Sequence, residues 1–558
     1  MPETSPPRQP SDHVGSAAAP EARRGFDLFD ALVLGALAAV SLAFVFFIVI
    51  KGGGVIAGVE GFVLADQAQY LSWVRESAEH GLIANRFDLA PDERVFLYPP
   101  MLLSGLLHIA GLSTPLAYLA WKPVAVLVLF IGVWRYARRL LPGRWERRAA
   151  LVLALFFVSP AGVLAPLWGG AGAGAIDFIA GESWPAGHLW GYPMTALAIG
   201  LMAFVFLAVE RALDAAQAPQ GGRWVRPAAL AAAGSLAIAW IHPWQGSMLL
   251  GILSLSALWH ARAGQAGLTQ LARVIGPSLI AVLGPTVYFL ILARTDPSWA
   301  ASRDVYRNGL DPVAPWQIAL ALGPLALLAL LGYRVRAVSL QDRILRLWPA
   351  VGVALYLFPS TPFRFHAFNG VSVPLAVLAV AGLAPHLARL AQRSGGPERG
   401  RRLAVAVAVA GCAVLVVPGT LDRIRSARGA VYLNLQPYRI DPGERDALRA
   451  LEDAPGPGGV LSNVDLGGLV PGLTGRETWV GTVSWSPDFG RRAGAVGSLL
   501  AGGLDAAGAQ AVAGASGARF VLQDCRSRAD LRGVLGPMLL SSRAYGCATV
   551  HELRRPSG

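Results

Sequence analysis

The stretch from Gly61 to Pro100 reads GFVLADQAQYLSWVRESAEHGLIANRFDLAPDERVFLYPP. It lies between two very hydrophobic segments and is the first long polar excursion of the chain. Within it, Asp66, Tyr70 and Trp73 fall at i, i+4 and i+7. At ~100° per residue they lie within about 60° of one another on a helix. A carboxylate beside two aromatics, on an interfacial helix next to a membrane, is the candidate chemical centre.

The surrounding composition is that of a polytopic membrane protein. Of 558 residues, 54% are hydrophobic and 15% charged, against about 25% charged in an average soluble protein. The mean hydropathy is +0.48, and the apolar residues come in long blocks. The net charge of +13 does not point to nucleic acid. Most arginines sit in short clusters between apolar blocks, where the positive-inside rule puts them, and no basic stripe carries interleaved aromatics.

Those clusters set an orientation for about eleven transmembrane helices. Residues 1–24 are rich in Pro, Ser and Ala and read as a disordered cytoplasmic tail. The run from Phe26 to Ile50 is too long for a signal-peptide core and reads as an anchored first helix. Arg23 and Arg24 hold its start inside, so Gly61–Pro100 is extracytoplasmic. Met101–Leu112 is too short to span. Further helices are expected at Pro115–Tyr136, Ala149–Trp168, Pro193–Ala212, two halves of Pro227–His260 turning outside at His242, Ile275–Leu292, Ile318–Leu331, Leu347–Phe358, Val371–Leu390 and Leu403–Val417. Every basic cluster between helices then falls on the cytoplasmic side. The outer loops are 52–114, 168–192, 294–316 and 359–369.

The fold class is therefore mainly α: a membrane domain over 25–420 and a small extracytoplasmic α/β domain over 421–558. In the latter, an amphipathic helix after Pro442-Gly443 precedes short strand-like runs at Gly459-Val460-Leu461 and Phe520-Val521-Leu522. Ser486-Pro487-Asp488 reads as the cap of a following helix. Cys525 and Cys547 are free to pair if this region is outside the cytoplasm.

Candidate chemistry gathers in the outer loops. Asp66 reads either as a helix N-cap or as a general base near the membrane surface, where a low dielectric raises a carboxyl pKa. Asp177 and Glu182 share the second outer loop. They are solvated acids, a second acid, or metal ligands with Asp66, in which case oxygen donors suit magnesium or manganese. Lys122 lies about two turns inside a helix. It either snorkels to the surface or meets an anionic headgroup. Arg364 and His366, in FRFHAF, are interfacial anchors or a clamp for a lipid phosphate. His242 makes a structural hydrogen bond or a substrate contact. The sequence has no P-loop, no G-x-S-x-G, no metal-type Cys/His spacing and no H-E-x-x-H.

Five features together resemble the GT-C glycosyltransferases, polytopic enzymes that use polyprenyl-phosphate-linked sugars. They are Asp66 in ADQAQYLSW after the first helix, the YPP at Tyr98-Pro99-Pro100, the turn Ile241-His242-Pro243-Trp244, the pair Arg364-Phe365, and a soluble outer domain behind the membrane region. The likeness is to poorly characterised bacterial members with D-x-x-x-Y in the first loop, here Asp66 to Tyr70. Many GT-C enzymes have paired acids there, whereas Gln67 follows Asp66.

The resemblance implies an inner-membrane transferase with a cytoplasmic N-terminus. It would move a sugar from a polyprenyl-phosphate donor to a glycan, lipid or protein acceptor, with inversion. Asp66 would take the acceptor's proton, and Arg364, His366 and Lys122 would hold the donor phosphate. Tyr70, Trp73, Tyr98, Asp177, Glu182 and His242 would line the substrate site, with magnesium or manganese as a possible cofactor. A lipid-linked-sugar transporter and a non-catalytic envelope assembly protein are the alternatives.

Overall fold

The computed structural model describes residues 25–90, 92–164, 167, 170–218, 223–308, 313–358, 363–393, 396–433 and 436–554. The expected tail at 1–24 and residues 359–362 of the last outer loop lie outside the described residues. Helix α1 (Leu28–Lys51) begins at a capping box in which Asp27 and Asp30 accept each other's backbone N–H. Arg144 and Arg148 also reach Asp27, at 3.0 and 2.8 Å. The start of α1 and the largest arginine cluster therefore share one face, as the positive-inside pattern requires.

The polar excursion becomes a docking platform. Strand β1 (Val55–Ile56) leads to α2 (Leu64–His80), and α3 (Pro99–Ile109) follows. α3 is only 11 residues long and leaves Leu103, Leu106 and Ile109 exposed. Its ~16 Å length cannot cross a ~30 Å hydrocarbon core. Helices α4 (Thr114–Leu119) and α5 (Trp121–Leu140) run on almost without a break as one span.

The expected helix over Ala149–Trp168 is not formed as such. Helix α6 (Arg144–Phe156) stops where Pro160, which has no N–H to continue the ladder, begins a 3-10 turn capped by Ser159. A second helix, α7 (Gly170–Glu182), occupies what reads as a Gly-rich loop. Glycines weaken a helix by about 1 kcal/mol each, but here Ile176, Ile179 and Ala180 are buried in the main core and hold the segment helical.

Then come α8 (Pro193–Gln217), α9 (Val225–Ile241) and α10 (Pro243–Arg262), with the break at His242 where the sequence places it. α11 (Leu268–Thr295) is followed by α12 (Pro297–Asn308), a helix inside the expected outer loop, and by α13 (Pro315–Tyr333).

Helix α14 (Leu340–Leu357) starts seven residues before the expected Leu347. Arg343 and Arg346 are thus buried helix residues, not loop charges. Arg346 donates to the carbonyls of Asp342 and Gly332, at 2.7 and 3.0 Å, and so satisfies the end of α13. Helices α15 (Ser372–Arg393) and α16 (Pro397–Leu433) close the membrane region. α16 runs unbroken past the expected domain boundary at 420.

All eleven expected helices overlap an observed one. Among the described residues, seven spans are long and apolar enough to cross a membrane. The helices α6, α9, α10 and α14 fall outside that set, being shorter or less apolar. Close packing uses small residues: a Cβ on Gly132 of α5 would lie 2.4 Å from the Gly200 carbonyl oxygen of α8.

Strand β2 (Arg439–Ile440) returns to pair antiparallel with β1. The C-terminal region then folds as α17 (Pro442–Asp453), β3 (Val460–Leu461), α18 (Val464–Thr474), α19 (Phe489–Leu500), α20 (Ala506–Ser516), β4 (Phe520–Gln523), α21 (Leu531–Leu535), β5 (Leu539–Tyr545) and β6 (Ala548–Leu553). The sheet order is β3-β4-β6-β5, with β3 and β4 parallel and the other pairs antiparallel. Cys525 and Cys547 form a disulfide across it. The domain sits on α2: Gly472 of α18 is so close to Leu71 that an added Cβ would fall 2.6 Å from the leucine Cβ. Arg75 pairs with Glu452 at 2.8 Å and Arg492 with Asp88 at 2.7 Å. The α2 helix is thereby fixed between membrane helices and the C-terminal domain.

Candidate active site

Four separate elements meet at the end of the membrane helices nearest the C-terminal domain. Glu182 is the last residue of α7, and its Oε2 lies 3.0 Å from Nδ1 of His366. His366 belongs to a short 3-10 turn, Arg364–Phe368, entered through Phe363 at φ 40°. A non-glycine residue in the left-handed region costs of order 1–3 kcal/mol and persists where the surroundings over-determine it. Here the Phe363 ring packs at 4.2 Å from the His366 ring. Asn369 completes the carboxylate's surroundings: with its amide turned to suit its neighbours, it donates to Glu182 Oε2 at 2.5 Å.

His242 caps α10, its Nδ1 accepting the Gln245 backbone N–H at 3.4 Å. Its ring stands 5.2 Å from His366, and Trp244 stands 5.0 Å from His366 on another side. His188 contacts the Glu182 carbonyl through Nε2 at 3.0 Å. Burial pushes both His188 and His242 below the usual histidine range, furthest for His242, and neighbouring imidazoles add to the effect. Burial alone would raise Glu182, but the adjacent His366 outweighs it and holds the carboxyl below its usual range. The cluster is one carboxylate–imidazole pair flanked by two neutral imidazoles.

Asp66 lies beside this cluster in the first turn of α2. The N-cap of that helix is Val63, so Asp66 is not the capping residue. Its Oδ2 accepts the Tyr192 hydroxyl at 2.9 Å. Burial, then the Asp66 charge, raise Tyr192 well above the ordinary tyrosine value, and Glu182 adds to the shift. Tyr192 therefore stays a phenol donor, and it feels both carboxylates. Tyr70 forms an aromatic wall here, stacked on Tyr118 at 5.5 Å and edge-on to Tyr192 at 6.4 Å.

The turn that carries Tyr192 is held from below. The Tyr118 hydroxyl donates to the Gly191 carbonyl at 2.7 Å, and Gln67 accepts the Glu60 N–H at 2.7 Å. Gly191 has φ +93°, and a Cβ there would fall 2.2 Å from Gln67 Nε2. Glu60 in turn takes the Lys122 ammonium at 2.5 Å, while the Ser41 carbonyl accepts from it at 2.6 Å. Lys122, expected to meet a lipid phosphate, is thus a buried partner of Glu60. A charge at this depth is stable only when paired, which is why it has turned inward.

Of the other expected site residues, Arg364 is half-buried and has no hydrogen-bond or ion-pair partner among the described residues. Glu182, His242 and His366 are brought together. Asp177 instead pairs with Arg423 of α16 at 3.4 Å. Tyr98 and Trp73 are each 7% exposed. They belong to an aromatic cluster with Phe96, Trp299 and Trp485, and the Tyr98 hydroxyl donates to the Ile241 carbonyl at 2.7 Å. Trp73 is the member that meets Trp485 of the C-terminal domain, and Tyr98 ties the cluster to the end of α9. The sequence reading missed Tyr192, Glu60 and Asn369. For Tyr192 the available signal was HLWGYP, where a glycine turn and a proline helix start fix the residue between them.

No family model matches the sequence, and no curated protein matches it. Solved structures share its architecture. The archaeal oligosaccharyltransferase AglB from Archaeoglobus fulgidus, solved with an inhibitory peptide and a dolichol-phosphate, is 14% identical with a TM-score of 0.52. That match covers 89% of this chain and 69% of AglB. The arabinofuranosyltransferase AftD from Mycobacteria is 15% identical with a TM-score of 0.54, over 95% of this chain and 42% of AftD. At such identities the likeness is one of fold, and the fold is that of the GT-C glycosyltransferases.

Proposed function

We propose that this chain, built on the GT-C fold, is a membrane glycosyltransferase that moves a sugar from a polyprenyl-phosphate donor to an extracytoplasmic acceptor, with inversion. The observation that carries this reading is the gathering of Asp66, Tyr192, Glu182 and His366 at one end of the helices, with Arg364 in the same 3-10 turn as His366. A general base and a cationic phosphate clamp have to stand on opposite sides of an anomeric carbon for inversion. AglB's bound dolichol-phosphate is consistent with a lipid-phosphate donor.

In the reaction, Asp66 accepts the proton of the acceptor hydroxyl as that oxygen bonds to the anomeric carbon. The bond from the anomeric carbon to the phosphate oxygen breaks, and the lipid phosphate leaves with the electron pair. Arg364 and the Nε2 side of His366 take up the developing charge. Glu182 fixes the His366 ring through Nδ1. A phosphate leaves readily, so a single carboxylate base suffices.

Among the described residues, no three of Asp66, Glu182, His188, His242 and His366 bring ligand atoms within 4.8 Å of one another. The donor set does not converge on a magnesium or manganese ion. The orientation is supported by the disulfide in the outer domain, which suits an oxidising compartment, and by the arginine clusters at the opposite helix ends.

The test is transfer by the purified, lipid-reconstituted chain from a panel of radiolabelled polyprenyl-phosphate sugars. Transfer by the native chain and its loss in a folded Asp66→Asn variant are expected. Undiminished transfer by that variant would sink the base assignment.

A further inference from the structure

At the other end of the membrane helices, the last turns of α15 and the first turns of α16 and α6 line an open cavity of about 540 Å³. α15 begins at Ser372, three residues after Asn369, and runs 22 residues to Arg393. Its lining on α15 runs from Ala384 to Gln392, so at ~1.5 Å per residue about 18–30 Å of helix separates the cavity from the candidate active site. It is therefore a separate place in the molecule, at the level where the arginine clusters meet lipid headgroups.

The lining has a definite chemical pattern. Ala388 of α15 and Gly400 and Ala404 of α16 give a wall of small apolar groups. α15 and α16 touch at Gly400, where an added Cβ would fall 2.5 Å from Ala391 Cβ. Beside that contact the small side chains leave the space open. Trp145 and Glu146 of α6, Gln392 of α15 and Arg401 of α16 supply the polar part of the lining. Glu146 uses Oε2 to accept the Gly143 N–H at 3.1 Å as the cap of α6. Arg401 has no ion-pair partner among the described residues, whereas its neighbour Arg402 reaches Glu398 at 3.8 Å.

We infer that this cavity is a binding site for a zwitterionic aminophospholipid of the phosphatidylethanolamine class, on the face opposite the active site. The lipid phosphate meets the Arg401 guanidinium, the primary ammonium donates to Glu146, and one acyl chain starts along the alanine wall. Trp145 fits the headgroup level, where indoles concentrate. A volume of this size is in the range of small-molecule sites, ~300–1,000 Å³. It takes a headgroup and glycerol and leaves most of the chains in the bilayer. Charge complementarity selects the class. A lipid with a net negative headgroup would meet Glu146 unfavourably, and a quaternary choline has no N–H to donate to it.

The experiment is native mass spectrometry of the full chain loaded with phosphatidylethanolamine, phosphatidylcholine and phosphatidylglycerol at equal mole fraction. Retention of phosphatidylethanolamine about tenfold above the other two is expected, the worth of one charge-assisted hydrogen bond. Glu146→Gln keeps the cap, since glutamine also serves at that position, and should abolish the preference over phosphatidylcholine. Arg401→Gln should lower retention of every phospholipid. Ala388→Trp, at an exposed position that faces the cavity, should block retention while the unfolding midpoint is kept. Equal retention of the three lipids overturns the proposal. So does a preference for phosphatidylglycerol, or phosphatidylethanolamine retention that Ala388→Trp leaves intact.

Discussion

The carboxylate of Glu182 meets the imidazole of His366 at 3.0 Å across 184 positions of sequence. The contact joins the end of α7 to the 3-10 turn before α15, two segments that sequence alone reads as separate outer loops. It fixes one ring nitrogen of His366 and turns the other away from the carboxylate. Glu182→Gln should therefore leave the fold intact and weaken the clamp. Transfer is expected to fall on the order of 10²-fold, the typical loss of one oriented donor. Single-turnover measurement at saturating donor checks it.

Asp66 and Tyr192 form the second half of the site. Replacing Asp66 by Asn should reduce transfer by about 10²–10⁴-fold, the range of a lost general base. Tyr192→Phe removes one hydrogen bond to the carboxylate and should cost less, about tenfold. The comparison is a rate assay on both variants with matched unfolding midpoints.

Lys122 separates two accounts of a membrane-level cation. Paired with Glu60, it is structural, and Lys122→Met should destabilise the chain by about 3–5 kcal/mol by leaving a buried carboxylate alone. The double variant Lys122→Met/Glu60→Gln should recover much of that loss. If Lys122 held the donor phosphate, the single variant would instead raise the donor KM at unchanged stability. Unfolding in detergent together with donor titration distinguishes the two.

His242 gives a pH dependence with a defined sign. Burial depresses its folded-state pKa below the unfolded value of ~6.5. Between those two values the unfolded chain binds more protons, so stability falls as pH drops below ~6.5 and is unaffected above it. His242→Gln, which retains an acceptor for the cap, should flatten part of this loss. Thermal unfolding of both chains at pH 7.5 and 5 measures the difference.

The Cys525–Cys547 bridge closes a separation of 22 residues, worth about 3 kcal/mol on the loop-closure account. Cys525→Ser with Cys547→Ser should lower the stability of the outer domain by that order. Altered mobility on non-reducing gels, with no alkylatable thiol besides Cys412, is the expected signature in the native chain.

Much of the architecture was legible because membranes constrain sequence so strongly. Long apolar runs and arginine clusters mark helices and their ends, and the break at His242-Pro243 follows from proline's missing N–H. The failures have local causes. The glycines over 170–182 argue against a helix, and only burial of Ile176 and Ile179 makes one. Arg343 and Arg346 look like loop charges until their carbonyl and side-chain partners are known.

By itself, then, the sequence determined a helical membrane domain, a trailing α/β domain and a short set of polar residues, since periodicity and hydropathy are local properties. Only the tertiary structure decided which of those residues work together. It joined Glu182 to His366, gave Tyr192 to Asp66, withdrew Lys122 into a pair with Glu60, and set Trp73 against Trp485 of the C-terminal domain. Each of these is a contact between distant segments, set by packing and by the need to pair buried charge, and no local pattern encodes it.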